Sequence, residues 1–223
     1  MAAHGLTFFA HEQLSGRGQH GKQWKTEKSS NIILSTILDT SFLPSAKHFQ
    51  LIATMAVAVH DFFSKYTLHD NFIKWPNDIY WNNRKAGGIL IETSSPIPQS
   101  SIKAWNWAVV GIGLNINQVI FPDNLPNPVS LKQITGKDYD PVAMAKDLCT
   151  NIDKWFLQLK NEPFQPILDY YNLYLYQKNS TVKLRKGNIA FDCLIEKVDE
   201  QGFLHVKGAT SDTFSFGEVQ WIV

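Results

Sequence analysis

The hydrophobic positions of this chain switch between strand and helix periods, and each switch marks an element. Residues 6–10 are a short apolar and aromatic run, which reads as a strand. Residues 14–30 keep neither period and carry Gly16, Gly18 and Gly21, so they read as a loop. Strand chemistry returns over 32–38. After Pro44-Ser45 the apolar residues Phe49, Ile52, Ala56, Val59 and Phe63 share one helical face, which predicts a helix to residue 65 with Ser45 as N-cap. Residues 72–75 form a strand stopped by Pro76-Asn77, and the runs 79–81 and 86–92 flank Asn82-Asn83-Arg84 as arms of a hairpin. A strand is expected over 102–114, with Gly111 and Gly113 near its end. The segment 118–128, rich in Pro, Asn and Asp, reads as an irregular surface loop, and helices are expected over 142–159 and 166–176.

From residue 177 the texture changes to short alternating runs at 181–184, 190–198, 203–206 and 213–216, separated by Lys-Gly-Asn, Glu-Gln-Gly and Ala-Thr-Ser-Asp turns. This pattern suggests a small β-barrel appended to a larger domain of strands and helices, dividing the chain near Tyr176 into 1–176 and 177–223. A chain of 223 residues has room for one substantial core and such a module. With 44% hydrophobic and 18% charged residues, an ordinary soluble globular protein is expected. The formal charge of +1 gives no global attraction to nucleic acid or anionic membrane, so any basic function must be local. Cys149 and Cys193 lie far apart without metal-ligand spacing and read as free thiols of a reducing compartment. No apolar run approaches a membrane span and the start lacks a secretory pattern, so a cytoplasmic location is expected.

Three constellations carry candidate chemistry. In the first, from Gly16-Arg17-Gly18-Gln19 to Lys22 and Trp24, glycines let backbone amides approach a ligand. Arg17 and Lys22 supply positive charge and Trp24 a flat face for a base. Phosphate, charge and base describe a nucleotide, yet the pattern is neither a Walker A loop nor a dinucleotide fingerprint. The alternative is a solvated loop whose Trp packs on the core. The second is Lys74-Trp75-Pro76-Asn77-Asp78, followed by Lys85-Ala86-Gly87-Gly88 and an apolar strand ending at Glu92. An ammonium at Lys85 can reach a carboxylate or phosphate beside bare backbone. Asn77 and Asp78 offer oxygens suited to Mg²⁺, or an acceptor for an incoming amine. The alternative is a hairpin with solvated polar tips. The third is Gly111-Ile112-Gly113-Leu114-Asn115, where glycines within a strand mark close approach of a ligand or another backbone. Asn115 then either reads a base or phosphate, or is simply a polar strand terminus.

In this order and spacing the three segments resemble the biotin–protein ligase family, which has a G-R-G-x-x-G-x-x-W loop, a K-W-P-N-D segment with K-x-x-G-I-L-x-E behind it, and a G-x-G-x-N strand end. The likeness spans residues 10–117, and the region after 177 resembles that family's C-terminal module. The resemblance implies an α+β fold, with a mixed β-sheet and helices on one side in a class II synthetase-like ligase domain, plus a small C-terminal SH3-like β-barrel. It implies a ligase that uses ATP and Mg²⁺ to convert biotin to biotinyl-5'-AMP and then loads a lysine of a biotin carboxyl carrier protein. Catalytic roles would fall to Lys85, Arg17 and Asp78. Gln13, Gly16, Arg17, Lys85 and Gly88 would contact biotin. Gln19, Lys22, Trp24, Asn77 and Asn115 would serve ATP, with Asn77 also a candidate Mg²⁺ ligand through the ATP phosphates.

Two departures stand out. Gln19 occupies a position where the family commonly has Arg, which removes a cation that would hold the adenylate. The family's Ser-Thr biotin motif and its helix usually precede the first matched strand, and only residues 1–7 stand there, so weakened biotin binding is expected. Some relatives are repressors with a helix-turn-helix domain ahead of the ligase; that segment is not in this sequence, and nucleic-acid binding is not expected. A homodimer is left open. The rival readings are a lipoate or octanoate ligase or transferase, and a non-catalytic biotin-binding protein.

Overall fold

The computed structural model of this chain describes residues 3–18, 23–93 and 106–222. A six-stranded sheet runs in the order β1 (Thr7–Phe9), β4 (Ile32–Asp39), β8 (Trp107–Leu114), β7 (Arg84–Thr93), β6 (Asp78–Trp81) and β5 (Asn71–Lys74). A short ribbon, β2 (Gly16–Arg17) with β3 (Gln23–Trp24), forms inside the glycine-rich loop. Where a mixed sheet was implied, the six strands pair antiparallel throughout, and parallel contact is confined to isolated bridges such as Lys85 with Pro128.

Strand alternation makes the sheet two-faced. Ala108, Val110, Ile112 and Leu114 are buried, while Val109, Gly111 and Gly113 between them point to the other side. The buried face packs on α1 (His48–Thr67), a helix buried along most of its length, with Leu51, Met55, Val59, Phe62 and Phe63 out of solvent. Behind α1 lie α3 (Pro141–Asn161) and α4 (Gln165–Leu173). Asp140 caps α3 by accepting from the N–H groups of Val142 and Ala143, with Pro141 at the first position.

Three boundaries differ from expectation. Ser45 does not cap α1, because Ser45–Lys47 forms a 3-10 turn and α1 starts at His48 without a side-chain cap. The last helix stops at Leu173, since Leu175 and Tyr176 bridge to Ile73 in β5 instead of continuing the turn. A helix that periodicity was too short to reveal, α2 (Leu131–Thr135), is fixed by a capping box between Ser130 and Gln133. The first residues of the strand expected over 102–114 lie outside the described residues.

The second sheet follows the order β12 (Thr213–Phe214), β11 (Leu204–Lys207), β10 (Ile189–Val198), β9 (Thr181–Lys186) and β13 (Gln220–Ile222), again antiparallel. An α+β architecture with an appended β module is therefore present. The second sheet's module is joined to the larger domain through a turn and helix α4. Trp75 Nε1 donates to Gly202 O at 3.0 Å, and the Asn172 amide donates to Val198 O at 2.8 Å while accepting from Val198 N at 2.7 Å. Gly202 has φ +92°, and a β-carbon there would lie 2.6 Å from the Phe49 ring. No helix among the described residues is long and apolar enough to cross a membrane.

One buried group makes this core sensitive to acid. On α1, His60 is fully buried; its Nε2–H donates to Asn71 O at 3.1 Å and its Nδ1 accepts from the Tyr170 hydroxyl at 3.2 Å. Burial pushes its pKa from 6.5 down to about 4, against the opposing pull of the Asn71 carbonyl and Asp61. The unfolded chain thus binds a proton that the folded one refuses. Stability is complete above the ordinary histidine pKa and falls as pH drops toward the folded value, by on the order of 3 kcal/mol. Urea unfolding of wild type and His60→Gln across that interval checks this: the variant should show the shallower pH dependence.

Candidate active site

On the sheet face turned away from α1, Gly88 of β7 and Gly113 of β8 stand directly opposite each other. The pair clears the backbone of side chains, and other groups crowd into that space. A β-carbon on Gly113 would come within 2.6 Å of the Trp24 indole. One on Gly88 would lie 3.1 Å from Asp78 Oδ1 and 3.3 Å from Lys85 Nζ. Lys85 Nζ is 2.7 Å from Asp78 Oδ2 and 5.8 Å from the centre of a Trp24 ring. The strand register, with glycines at two of its positions, thus gathers an ammonium, a carboxylate and an indole over bare peptide.

Lys85 is held firmly. The β6–β7 pairing slips by a residue between Ile79 and Tyr80, and such a bulge re-aims the side chains beside it. Lys85 N donates to Asn127 O at 2.8 Å, and Val129 N donates to Lys85 O at 2.9 Å. Asn115 lies behind this clamp, 4% exposed, and its Nδ2 donates to Val129 O at 3.1 Å. Asn77 is also buried, and its Nδ2 donates to Ile89 O, tying the segment before β6 to β7. The amides of Asn77 and Asn115 therefore brace the strip.

The other sequence-nominated residues lie alongside. Gln13 folds over Gly16, where a β-carbon would meet Gln13 Oε1 at 2.7 Å and Trp24 O at 2.3 Å. Arg17 is exposed, with its guanidinium 3.9 Å from Glu92. It lines a cavity of about 520 Å³ with Gly18, Asn77, Leu90, Glu92 and, from the second sheet's module, Phe203. Lys85, Asp78, Gly88 and Trp24 thus come together, and Asn115, Asn77, Gln13, Gly16 and Arg17 surround them. Gln19 and Lys22 lie outside the described residues.

Sequence reasoning missed the polar groups of the Trp24 arm and its neighbours. Among the described residues, Trp24 Nε1 and Thr26 Oγ1 are buried without a hydrogen-bond partner. Buried polar groups left unpaired are costly, so the arm carries two groups whose bonding is not met within the chain as it stands. Asn31 and Gln118 form a buried amide pair under the same arm. No periodicity or motif marks such residues, because their roles depend on which loops meet.

This arrangement can hold an anion on Lys85 and a flat base on Trp24. Losing a base–aromatic stack typically costs about 1–3 kcal/mol. Trp24→Ala is accordingly expected to raise the Michaelis constant for a nucleotide far more than that for a carboxylic acid co-substrate. Steady-state kinetics with each varied in turn would read this, and a selective effect on the acid would assign Trp24 to the other pocket. A protein-built Mg²⁺ cage does not fit. Asp78 is committed to Lys85, and the described residues contain no group of three His, Cys, Asp or Glu able to hold a metal. No step below is routed through a metal.

The sequence profile of the biotin/lipoate A/B protein ligase family matches residues 2–115, just over half of the chain. A bifunctional ligase/repressor BirA of Bacillus spizizenii is 29% identical over 206 residues, covering 91% of this chain. The chain spans only 62% of that relative's length. A biotin–[acetyl-CoA-carboxylase] ligase of Paracoccus denitrificans is 27% identical over 215 residues, covering 89% of this chain and 82% of that protein. In fold, the chain is similar to a biotin protein ligase from Aquifex aeolicus solved in complex with biotin and ATP. That likeness has a TM-score of 0.82 at 23% identity, over 99% of this chain and 90% of the other. With its motifs falling on one glycine-cleared strip of a matching fold, this chain belongs to the biotin/lipoate A/B protein ligase family.

Proposed function

We propose that this chain is an ATP-dependent biotin–protein ligase, with the ligation chemistry in residues 1–176 and an accessory module in 177–223. The observation that carries the reading is Lys85 paired to Asp78 above the opposed glycines Gly88 and Gly113, with Trp24 alongside. In the first step a biotin carboxylate oxygen attacks the α-phosphorus of ATP and pyrophosphate leaves, giving biotinyl-5'-AMP. Negative charge shifts onto the phosphate oxygens, and the Lys85 ammonium, on a strand whose backbone is clamped, is placed to swing from Asp78 and stabilise it. Arg17, lining the adjoining cavity, adds a second cation. Trp24 and Asn115 take the nucleotide side, while Gln13, Gly16 and Gly88 take the biotin side.

In the second step the amine of a carrier lysine attacks the acyl carbon, AMP leaves, and the amine's proton passes to Asp78. Once Lys85 has moved onto the phosphate, the Asp78 carboxylate is free to accept it. The partner is a biotin carboxyl carrier domain. The reading needs neither nucleic acid nor membrane, places the reaction in the cytoplasm, and is compatible with a homodimer.

Biotin-dependent exchange of pyrophosphate into ATP, followed by biotin transfer to a carrier domain, tests the proposal. Exchange driven by lipoate instead would move the substrate to the other branch of the family. Biotin binding without any exchange would leave a binding protein.

A further inference from the structure

Gln118 follows Asn115 by three residues and has no place in the motifs, yet it is 4% exposed and both ends of its amide are bonded. Its Oε1 accepts from Glu27 N at 3.2 Å and from Asn31 Nδ2 at 2.6 Å, and its Nε2 donates to Ile120 O at 2.9 Å. Asn31 Oδ1 in turn accepts from Ile116 N at 2.9 Å, and Asn117 N donates to Ser30 O at 2.8 Å. Glu27 lies three residues beyond Trp24 on the arm that lays its indole over Gly113. Ile120 lies on the segment leaving Asn115 and is 82% exposed. One buried side chain therefore joins the backbones of two segments that flank the same end of β8. At its inner end the join reaches buried Asn31 and Ile116, and at its outer end the exposed Glu27 and Ile120.

We propose that Gln118 is a positioning residue for the nucleotide, setting the Trp24 arm and the 118–120 segment at a fixed spacing across the end of β8. An apolar side chain of equal length fills the space but cannot bridge. Glu27 N and Asn31 Nδ2 would then seek other acceptors, and the arm would drift from Gly113. The Lys85 backbone is held by Asn127 and Val129, bonds that Gln118 does not touch, so its contact with biotin should not follow. The inference rests on the ligase reading for its kinetic readout and on the geometry alone for its binding readout.

The test compares wild type, Gln118→Met and Gln118→Glu. In pyrophosphate exchange, Gln118→Met is expected to raise the Michaelis constant for ATP about tenfold or more, with that for biotin within about twofold, since small misplacements at a site have large effects. Gln118→Glu keeps the acceptor for Glu27 and Asn31 but loses the donor to Ile120, and should fall between. Equal shifts for both substrates, or an unchanged constant for ATP, would overturn the proposal. Direct titration with a non-hydrolysable ATP analogue reads the same weakening without turnover. In the unaltered protein, amide exchange at Glu27 and Ile120 should slow together when that analogue binds, which covers the case of a variant that fails to fold; slowing at only one of them overturns the join. A wild type that neither exchanges pyrophosphate nor binds the analogue overturns both this proposal and the ligase reading, whereas activity with normal ATP use in Gln118→Met overturns this one alone.

Discussion

Lys85→Ala is expected to lower biotin-dependent pyrophosphate exchange by about 10²–10³-fold, the usual cost of removing one fixed contact to a charged transition state. The ammonium stands over bare backbone at Gly88, paired to Asp78, while Asn127 and Val129 hold the Lys85 backbone, so only the side chain has to shift when charge develops on phosphate. Folding should survive. The Lys85 and Asp78 side chains are 30% and 28% exposed, water can reach the carboxylate left behind, and a pair this open is worth about 0–1 kcal/mol. Lys85→Arg should rescue poorly, because a planar guanidinium cannot take the place of a compact ammonium beside Asp78. A solvated hairpin lysine predicts unchanged exchange in both variants. Exchange rates together with thermal melts distinguish the two accounts, and wild-type rates in the alanine variant would remove Lys85 from the mechanism.

Gly113→Val should nearly abolish productive use of ATP while leaving the sheet intact. A β-carbon at this position would stand 2.6–2.8 Å from the Trp24 indole, so the ring must lift from the strip. Valine is otherwise well suited to a strand, which argues against global unfolding. With the aromatic platform displaced, the Michaelis constant for ATP should rise about ten- to hundredfold. Gly111→Ala is the control on the same strand, because its nearest neighbour would be Leu90 O at 3.6 Å, an ordinary contact. The ATP dependence of exchange in the two variants measures the difference. Normal ATP use in Gly113→Val would mean that the indole over Gly113 has no part in holding the nucleotide.

Much of this was legible before any coordinates. Period changes located the strands of the large sheet, the long apolar helix and the strand-rich tail, since burial on one face leaves its period in the chain. The motifs were legible because three of them, in order and spacing, resemble one family, whereas each taken singly reads equally well as a solvated loop or strand end. Register was not legible. That Gly88 faces Gly113 depends on how far β7 slides past β8, and the place of Asp78 beside Gly88 depends on the β6–β7 pairing, where a bulge near Lys85 alters the count locally. The bracing roles of Asn77 and Asn115 were likewise hidden, because an amide near a motif looks the same whether it holds backbone or ligand. Ser45 misled for a local reason: a 3-10 turn takes the place that a capped α-helical start would have occupied.

The bond from Trp75 to Gly202 bears on how such proteins can be recombined. Trp75 lies two residues before Asn77 and three before Asp78, so the backbone bearing the reactive carboxylate leans on a carbonyl of the small module. That carbonyl belongs to a left-handed glycine whose missing side chain makes room for Phe49. A module of similar shape grafted from an unrelated protein would have to reproduce a tight turn at the same spot, with the same acceptor and no β-carbon. The tail is therefore no freely exchangeable part. A substitution in the turn at Gly202 is expected to disturb the segment around Trp75 as well as its own module.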